Sequence, residues 1–295
     1  MIMPSAQCPV QIQNVYMYII VNLRKLVLGF MLLGAIVTIS TILTNATASS
    51  TTSSAYQSPQ DTRVYPVDTK STVQLSLPYG SGSDKKSLEY LHCGTKFTES
   101  SFMKKDLELI LLHGAKFKKE DWSSSGVLAD FCLKGKHHIS VVAIDLSVTA
   151  DGLGFQDAYE ALVRGKVISG HPVVVISPSA SGRAIVSMGR IAAGSGNYSI
   201  LKSIIKVWIP VASPAVLSVR DDAALASFSL AGIPVFAING DQDNMGKKVT
   251  KKLESTTHAK GGELNGGHAV YLDSPKLFVD IVMRFLSGNE DNSRY

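Results

Sequence analysis

Short, continuous apolar segments alternate with helix-like stretches through most of this chain. These segments lack the strict polar–apolar alternation of half-exposed strands, so they predict strands that are buried on both faces. Buried strands separated by helices are typical of a mostly parallel sheet with helices on both sides. The predicted strands are residues 72–77, 87–91, 107–112, 139–146, 172–176, 204–211 and 233–239, and Leu264 ends another.

Helix-forming stretches lie between the predicted strands. The sequence predicts helices over residues 122–133, 156–167, 184–193 and 275–286, and a hairpin turn at the Gly-Ser-Gly of residues 80–82. In open sheets of this kind, ligands bind beyond the carboxyl ends of the strands. Functional residues are therefore expected in the loops that follow the predicted strands.

The N-terminal part of the chain has a different composition. Residues 26–43 carry no charge over 18 positions, directly after Arg24 and Lys25. As a helix they would extend about 27 Å, close to the thickness of the hydrocarbon core of a bilayer. We therefore expect a transmembrane signal anchor, with residues 1–25 in the cytoplasm and the remainder lumenal or extracellular, as in a single-pass type II protein.

A cleaved signal peptide is the alternative for this segment. Ala46, Thr47 and Ala48 have the small-x-small form of a cleavage site, and cleavage near Ala48 would release a secreted protein. The apolar stretch is longer than the core of most signal peptides, which favours the anchor. Both interpretations place the rest of the chain in the secretory pathway, where Cys93 and Cys132 could pair with each other.

The remaining chain divides by composition. Residues 44–70 predict a Ser/Thr-rich linker, residues 71–288 an α/β domain and residues 289–295 a polar tail. Asn45 and Asn197 begin N-glycosylation patterns, which makes a glycoprotein the expectation without deciding which asparagine is modified.

Composition and motif spacing exclude several classes of protein. A net charge of +5 over 295 residues, without a concentrated basic stripe, argues against a nucleic-acid partner. The chain has no metal-ligand spacing, phosphate-binding loop or dinucleotide fingerprint, so no metal or cofactor is expected. Two groups of lysines are expected on solvated faces, although they could contact an acidic partner: Lys116, Lys118, Lys119, Lys247, Lys248, Lys251 and Lys252.

A serine-rich turn follows the predicted strand at 172–176. Residues 177–182 (SPSASG) lead into a predicted helix, which is the strand, sharp turn and helix arrangement of a nucleophile elbow. Such a turn would project Ser179 above the sheet. The usual G-x-S-x-G pattern is not met, because Ser177 and Ser181 occupy its glycine positions. A serine-rich loop that caps the following helix through Ser179 or Ser181 is the alternative.

Candidate partners for this serine follow later strands. Asp241 and Asp243 come after the strand that ends at Asn239, and either carboxylate could orient a histidine, although Asp-rich turns are common on any surface. His268 follows a loop with two glycines, which would let that loop approach closely. The order Ser179, then aspartate, then His268 is the order of the α/β-hydrolase fold.

An early strand supplies a fourth element of the pattern. His113 and Gly114 follow the predicted strand at 107–112, where the second amide of an oxyanion hole is expected in this fold. Four such features after four different strands are improbable by chance, so the pattern favours an enzyme.

From about residue 107 to its end, the chain resembles the ABHD14 group of α/β-hydrolase-domain proteins. The distinctive parts are the SPSxSG elbow and the GDQDxMG segment. The anchor makes it most similar to the membrane-anchored A-type members. The resemblance rests on LLHGAKF (111–117), VVAIDL (141–146), VVISPSASG (174–182), GDQDNMG (240–246) and GGHAVYLDSP (266–275).

The resemblance implies Ser179 as the nucleophile, Asp243 as the acid and His268 as the base. One loop departs from the family pattern, because residues 147–152 stand where members usually carry a Pro-Gly-x-Gly-like loop. This loop borders the site, so a different pocket shape is expected.

The expected fold is an α/β-hydrolase fold without a large cap domain, because only about 30 residues separate the strand at 204–211 from Asp243. The expected reaction is acyl transfer through a Ser-His-Asp triad, with the N–H groups of Ala180 and Ala115 as the oxyanion hole. The predicted substrate is a small acyl ester or acyl-amine. The alternative is a catalytically silent interaction module of the same fold in the secretory pathway, with its protein partner unknown.

Overall fold

An eight-stranded sheet forms the centre of the fold. The computed structural model describes residues 71–75, 87–94, 107–135 and 139–288. In chain order the strands are β1 (Ser71–Gln74), β2 (Ser87–Gly94), β3 (Leu107–Leu111), β4 (Ile139–Ile144), β5 (Val173–Pro178), β6 (Ile205–Val211), β7 (Phe236–Gly240) and β8 (Lys260–Leu264). Across the sheet their order is β1-β2-β4-β3-β5-β6-β7-β8.

Most of the sheet is parallel. β2 runs antiparallel to both of its neighbours, β1 and β4, whereas every other neighbouring pair is parallel. The central strands β4 and β5 are buried along their whole length, which explains their uninterrupted apolar segments. The predicted α/β architecture is confirmed, and each predicted strand is present with its ends shifted by a few residues.

Helices cover both faces of the sheet. The helices are α1 (Lys119–Ser124), α2 (Val127–Lys134), α3 (Gly152–Arg164), α4 (Gly182–Ser195), α5 (Ser199–Ile204), α6 (Ala223–Leu230), α7 (Asn244–Thr257), α8 (Val270–Asp273) and α9 (Pro275–Leu286). One layer contains α3 to α7, and the other contains α1, α2, α8 and α9. Successive strand residues alternate between the layers, so that Val175 packs towards the first and Val174 towards the second.

The helix predicted over residues 122–133 is instead two helices. The chain leaves α1 at Ser125 and enters α2 through Gly126, which has a φ of 82°. That conformation lies in the left-handed region, which glycine adopts without a steric penalty, so a continuous helix cannot pass through this position. The prediction was therefore wrong about a single helix, although the segment is helical on both sides of the break.

The connection from β6 to β7 is short and fully described. It contains a 3₁₀ turn at Pro214–Val216 and the helix α6, and no larger inserted unit. The segment predicted to span a membrane, residues 26–43, lies outside the described residues, as do residues 1–25, the linker at 44–70 and the tail at 289–295. Among the described helices, none combines the length and the apolar composition needed to cross a bilayer.

A disulfide joins the sheet to one helical layer. Cys93 of β2 and Cys132 of α2 are bonded, with their Cα atoms 6.2 Å apart. The sequence left this pairing open. An ion pair between Lys134 and Asp280 links α2 onward to α9. Covalent and ionic contacts therefore both fix α2 against its neighbours.

Candidate active site

Ser179 lies at the carboxyl end of β5, in a sharp turn between that strand and α4. β5 ends at Pro178, which pairs in register with Val211 at the end of β6. Ser179 then opens a single 3₁₀ turn, and α4 begins at Gly182. The φ of Ser179 is 50°, a left-handed conformation that costs a residue with a side chain about 1 kcal/mol. The turn is therefore strained at its serine, as a nucleophile elbow requires.

Serines fit the two glycine positions of the elbow because each hydroxyl has a partner. The Oγ of Ser177 accepts a hydrogen bond from Nε1 of Trp208 at 2.8 Å. The Oγ of Ser181 donates to the carbonyl of Pro178 at 2.8 Å, and neither Ser179 nor Ser181 caps α4 through its side chain. Ser181 does occupy the N-cap position of α4, as the alternative interpretation expected, but it makes no capping hydrogen bond through its side chain.

The close approach that the elbow needs occurs at Gly182. A Cβ atom at this position would lie 1.9 Å from the Oγ of Ser213 and 2.6 Å from its Cβ. Both distances are far below van der Waals contact. The glycine thus lets the start of α4 pack against the chain that follows β6.

The structure brings His268 between Ser179 and Asp243. Nε2 of His268 lies 2.8 Å from the Oγ of Ser179, and Nδ1 lies 2.7 Å from Oδ2 of Asp243. With its proton on Nδ1, the imidazole donates to the carboxylate and accepts from the serine hydroxyl. The histidine is largely exposed, with 42% of its side chain accessible, so a substrate can approach the ring from solvent.

The start of α7 positions Asp243. This residue is the N-cap of the helix, and its Oδ1 accepts a hydrogen bond from the N–H of Met245. Burial would raise the pKa of Asp243, but the N–H groups of Gly246 and Met245 and the ring of His268 outweigh it and hold the pKa below its usual value. The side chain is therefore a carboxylate at neutral pH.

Asp241, the other candidate for the acid, has a different place. Its Oδ1 accepts a hydrogen bond from the N–H of Gly266 at 2.9 Å, in the loop that leads to His268. Gly240 brings the same loop close, because a Cβ atom there would lie 2.2 Å from the carbonyl oxygen of Gly267. Asp241 thus holds the histidine loop, whereas Asp243 contacts the histidine itself.

The loop after β3 runs beside the serine. A Cβ atom on Gly114 would lie 3.6 Å from the Cβ of Ser179. The N–H of Phe117 donates to the carbonyl of Gly114 at 3.0 Å, which closes a tight turn around Ala115. Ala180 follows Ser179 directly. Both alanines predicted for the oxyanion hole therefore belong to segments that border Ser179.

Two side chains fix the backbone of the β3 loop. Nε1 of Trp122 donates to the carbonyl of Leu112 at 2.9 Å. The Nδ1 of His113 lies 3.0 Å from the carbonyl of Gly114, and its Nε2 lies 3.6 Å from Oδ1 of Asp145. Through His113 the loop thus contacts Asp145, which belongs to a cluster of charged residues.

Lys119 is the centre of that cluster. Its side chain is only 1% exposed, and Nζ lies 2.5 Å from Asp145, 2.8 Å from Glu89 and 2.9 Å from Glu120. Burial alone would lower the pKa of Lys119, but hydrogen bonds to the three carboxylates raise it well above its usual value. The expectation of a solvated face was therefore wrong for Lys119.

The same three carboxylates are close enough together to ligate a metal ion. The ammonium of Lys119 bonds to all of them, so it supplies the positive charge that a cation would bring. Sequence reasoning missed this cluster, because nothing distinguishes Lys119 from the lysines beside it. Asp145 was the better indication of a charged cluster, because it follows β4 directly.

Comparison with known proteins tests the resemblance to the ABHD14 group. No protein-family model matches the chain. The human protein provisionally named protein-lysine deacylase ABHD14B is 29% identical over 194 residues, covering 61% of this chain and 83% of the relative. Its Rattus norvegicus counterpart is 28% identical over 192 residues, covering 60% and 82%. The resemblance to the ABHD14 group is confirmed.

Solved structures of other proteins show which fold the chain has. A hydrolase of Thermoplasma acidophilum, described as CIB-like, superposes with a TM-score of 0.53 at 16% identity, covering 75% of this chain and 98% of its own. The esterase RhEst1 of Rhodococcus sp. ECU1013 has a TM-score of 0.50 at 14% identity, covering 74% and 98%. The described residues therefore have the α/β-hydrolase fold.

Proposed function

We propose that this protein is a serine hydrolase that cleaves or transfers a small acyl group. The observation that carries the proposal is the continuous hydrogen-bonded series from Ser179 through His268 to Asp243, with contacts of 2.8 Å and 2.7 Å. In this arrangement the base can take the hydroxyl proton while the acid orients the base, which activates a serine at neutral pH. The names of the relatives, a protein-lysine deacylase and an esterase, support acyl amides and acyl esters as substrates.

The first half of the reaction forms an acyl-enzyme. Nε2 of His268 takes the hydroxyl proton as the Oγ of Ser179 bonds to the carbonyl carbon of the substrate. Asp243 accepts from Nδ1 and stabilises the imidazolium that results. The tetrahedral intermediate then collapses, and the departing alcohol or amine leaves with the proton from Nε2.

The second half releases the acyl group. Water loses a proton to His268 and attacks the ester carbonyl, and Ser179 regains its proton as the carboxylic acid departs. In both halves, negative charge develops on the carbonyl oxygen, where the N–H groups of Ala180 and Ala115 would donate to it. The short β6–β7 connection leaves the histidine exposed, which suits small substrates that enter from solvent.

A fluorophosphonate probe, which reacts with activated serines, tests this proposal on the full chain in detergent. We expect labelling of the wild type and complete loss of labelling in Ser179→Ala and in His268→Ala. Ser181→Ala is the matched control, because it removes a neighbouring hydroxyl that bonds only to the carbonyl of Pro178. A folded wild type that never labels would sink the catalytic proposal, and a silent interaction module would take its place.

We further propose that the protein is anchored in a membrane as a single-pass type II protein, with the hydrolase domain lumenal or extracellular. Residues 26–43 supply the uncharged span and Arg24 and Lys25 its cytoplasmic flank. The disulfide between β2 and α2 is typical of proteins in oxidising compartments.

Microsomes from cells that express the full chain with a C-terminal epitope test this placement. We expect the epitope to resist protease until detergent is added, and the protein to stay with the membrane at alkaline pH. Release of a protected but soluble protein would favour cleavage near Ala48 over the anchor. Digestion of the epitope in intact microsomes would show that the proposed orientation is wrong.

A further inference from the structure

A groove lies along the first half of α4. It has a volume of about 730 Å³ and reaches Ala180, the residue after Ser179. At its far end it shares Arg190 and Ser218 with a second cavity of about 550 Å³. The two cavities are therefore neighbours along α4, and we call them together the channel.

Three arginines line this channel. Arg183 and Arg190 belong to the first cavity, and Arg190 and Arg220 to the second. Arg183 and Arg190 are seven residues apart on α4, so they lie on one face of the helix about 10 Å from each other. Arg183 is also only four residues beyond Ser179. Positive charge is thus spaced along the channel, starting next to the reacting group.

These guanidinium groups have no ion-pair partners within the described part of the chain. Arg164 of α3 is a useful contrast, because its guanidinium lies 3.6 Å from Asp157 and 3.7 Å from Glu160. An exposed arginine in this protein can therefore pair with a carboxylate, whereas Arg183, Arg190 and Arg220 form no ion pair with the described residues.

Two carboxylates do line the channel, but each is engaged at the start of a helix. Oδ1 of Asp151 accepts from the N–H of Gly154, as the N-cap of α3. Oδ1 of Asp221 accepts from the N–H of Ala223 in the first turn of α6. Three cations against two anions leave an excess of positive charge.

Apolar residues also line the first cavity, beside Ser187 and Ser218. They include Val148, Val186, Pro214 and Ala215. Such walls suit a short aliphatic chain, whereas the guanidinium groups suit a planar or tetrahedral oxyanion that accepts two hydrogen bonds at once.

We propose that the channel binds an anionic group of the substrate, a carboxylate or a phosphate joined to the reacting carbonyl by a short aliphatic chain. Arg183 and Arg190 are the residues that select it. This inference rests on the proposed hydrolase function of Ser179 and names the substrate class of that site. No step of the reaction changes, because the anion is held and not transformed.

Matched pairs of esters test the proposal on the full chain in detergent. One pair carries the charge on the acyl side, a 4-nitrophenyl half-ester of glutaric acid against its methyl ester. Two further pairs carry it on the leaving side. They are the acetyl ester of 4-hydroxybutyrate against its methyl ester, and the acetyl ester of 4-hydroxybutyl phosphate against its neutral dimethyl phosphate ester. We expect kcat/KM to favour the charged member of at least one pair by about tenfold, a preference that falls as salt screens the arginines.

Variants assign the preference to its residues. In Arg183→Gln and Arg190→Gln, the charged-to-neutral ratio of kcat/KM should fall towards one, with fluorophosphonate labelling of Ser179 as the check that each variant is folded. Arg164→Gln removes the same charge from α3 and should keep the ratio. A ratio near one in the wild type for all three pairs, or a ratio unchanged in both variants, would overturn the anion site. Failure to hydrolyse any ester, without labelling, would instead overturn the proposed function.

Discussion

Asp243→Asn should lower kcat for a small acyl ester by about 10⁴-fold at neutral pH. An asparagine would present its NH₂ group or its oxygen to Nδ1 of His268, 2.7 Å away in the wild type. If the NH₂ group faces the ring, Nδ1 must accept, so the proton moves to Nε2 and the histidine can no longer accept from Ser179. If the oxygen faces the ring, the contact with Nδ1 survives, but the NH₂ group then faces the N–H of Met245 in place of an accepting oxygen. The negative charge that stabilises the imidazolium is also lost.

Asp241→Asn is the matched control for this prediction. An asparagine oxygen at 241 can still accept from the N–H of Gly266, so the loop that carries His268 keeps its anchor. We expect kcat within about threefold of the wild type, measured on the same ester, because no charge next to the histidine is removed. Equal losses in the two variants would contradict the assignment of Asp243 as the acid.

Lys119→Met should reduce the free energy of unfolding by about 3 kcal/mol, measured by denaturant titration at neutral pH. The substitution removes the ammonium from the centre of three carboxylates and leaves their repulsion uncompensated. The carboxylate side chains are between 26% and 45% exposed, so water offsets part of the loss. For this reason the expected value lies at the lower end of what breaking a buried ion pair costs.

Lys116→Met provides the comparison. Lys116 is exposed in the same run of lysines, and its replacement should change the free energy of unfolding by no more than about 0.5 kcal/mol. The contrast tests burial and not charge alone, since both variants lose one positive charge. A loss in Lys119→Met as small as in Lys116→Met would mean that the cluster does not stabilise the fold.

Strands were the most predictable part of the fold. A strand buried on both faces, such as β4 or β5, must be apolar along its whole length, and that property is visible without any tertiary information. The helix at Pro275–Leu286 was predicted at the same bounds, because proline marks its start and the apolar periodicity continues to its end. The helices α6 and α7 were not predicted, although both are regular.

The order of the strands in the sheet, and the contacts and burial of individual charged side chains, could not be predicted from local sequence patterns. β4 lies between β2 and β3 in the sheet, so the order in space differs from the order in the chain. Nothing in the sequence of any one strand specifies this difference. Likewise, two aspartates two residues apart look alike in sequence. Only the turn before α7 decides that Asp243 faces the histidine and that Asp241 holds its loop. Lys119 became buried because Asp145, Glu89 and Glu120 come from three separate elements to meet it.

The left-handed serine has an evolutionary consequence. At a φ of 50°, glycine would adopt the backbone of position 179 more readily than serine does. Selection for a stable fold alone would therefore favour replacing this residue, and genetic drift would remove its hydroxyl in any lineage that no longer used it. A serine that is retained at position 179 despite this strain therefore indicates selection for its chemistry. Its retention or loss in related sequences would show which lineages still use the activity.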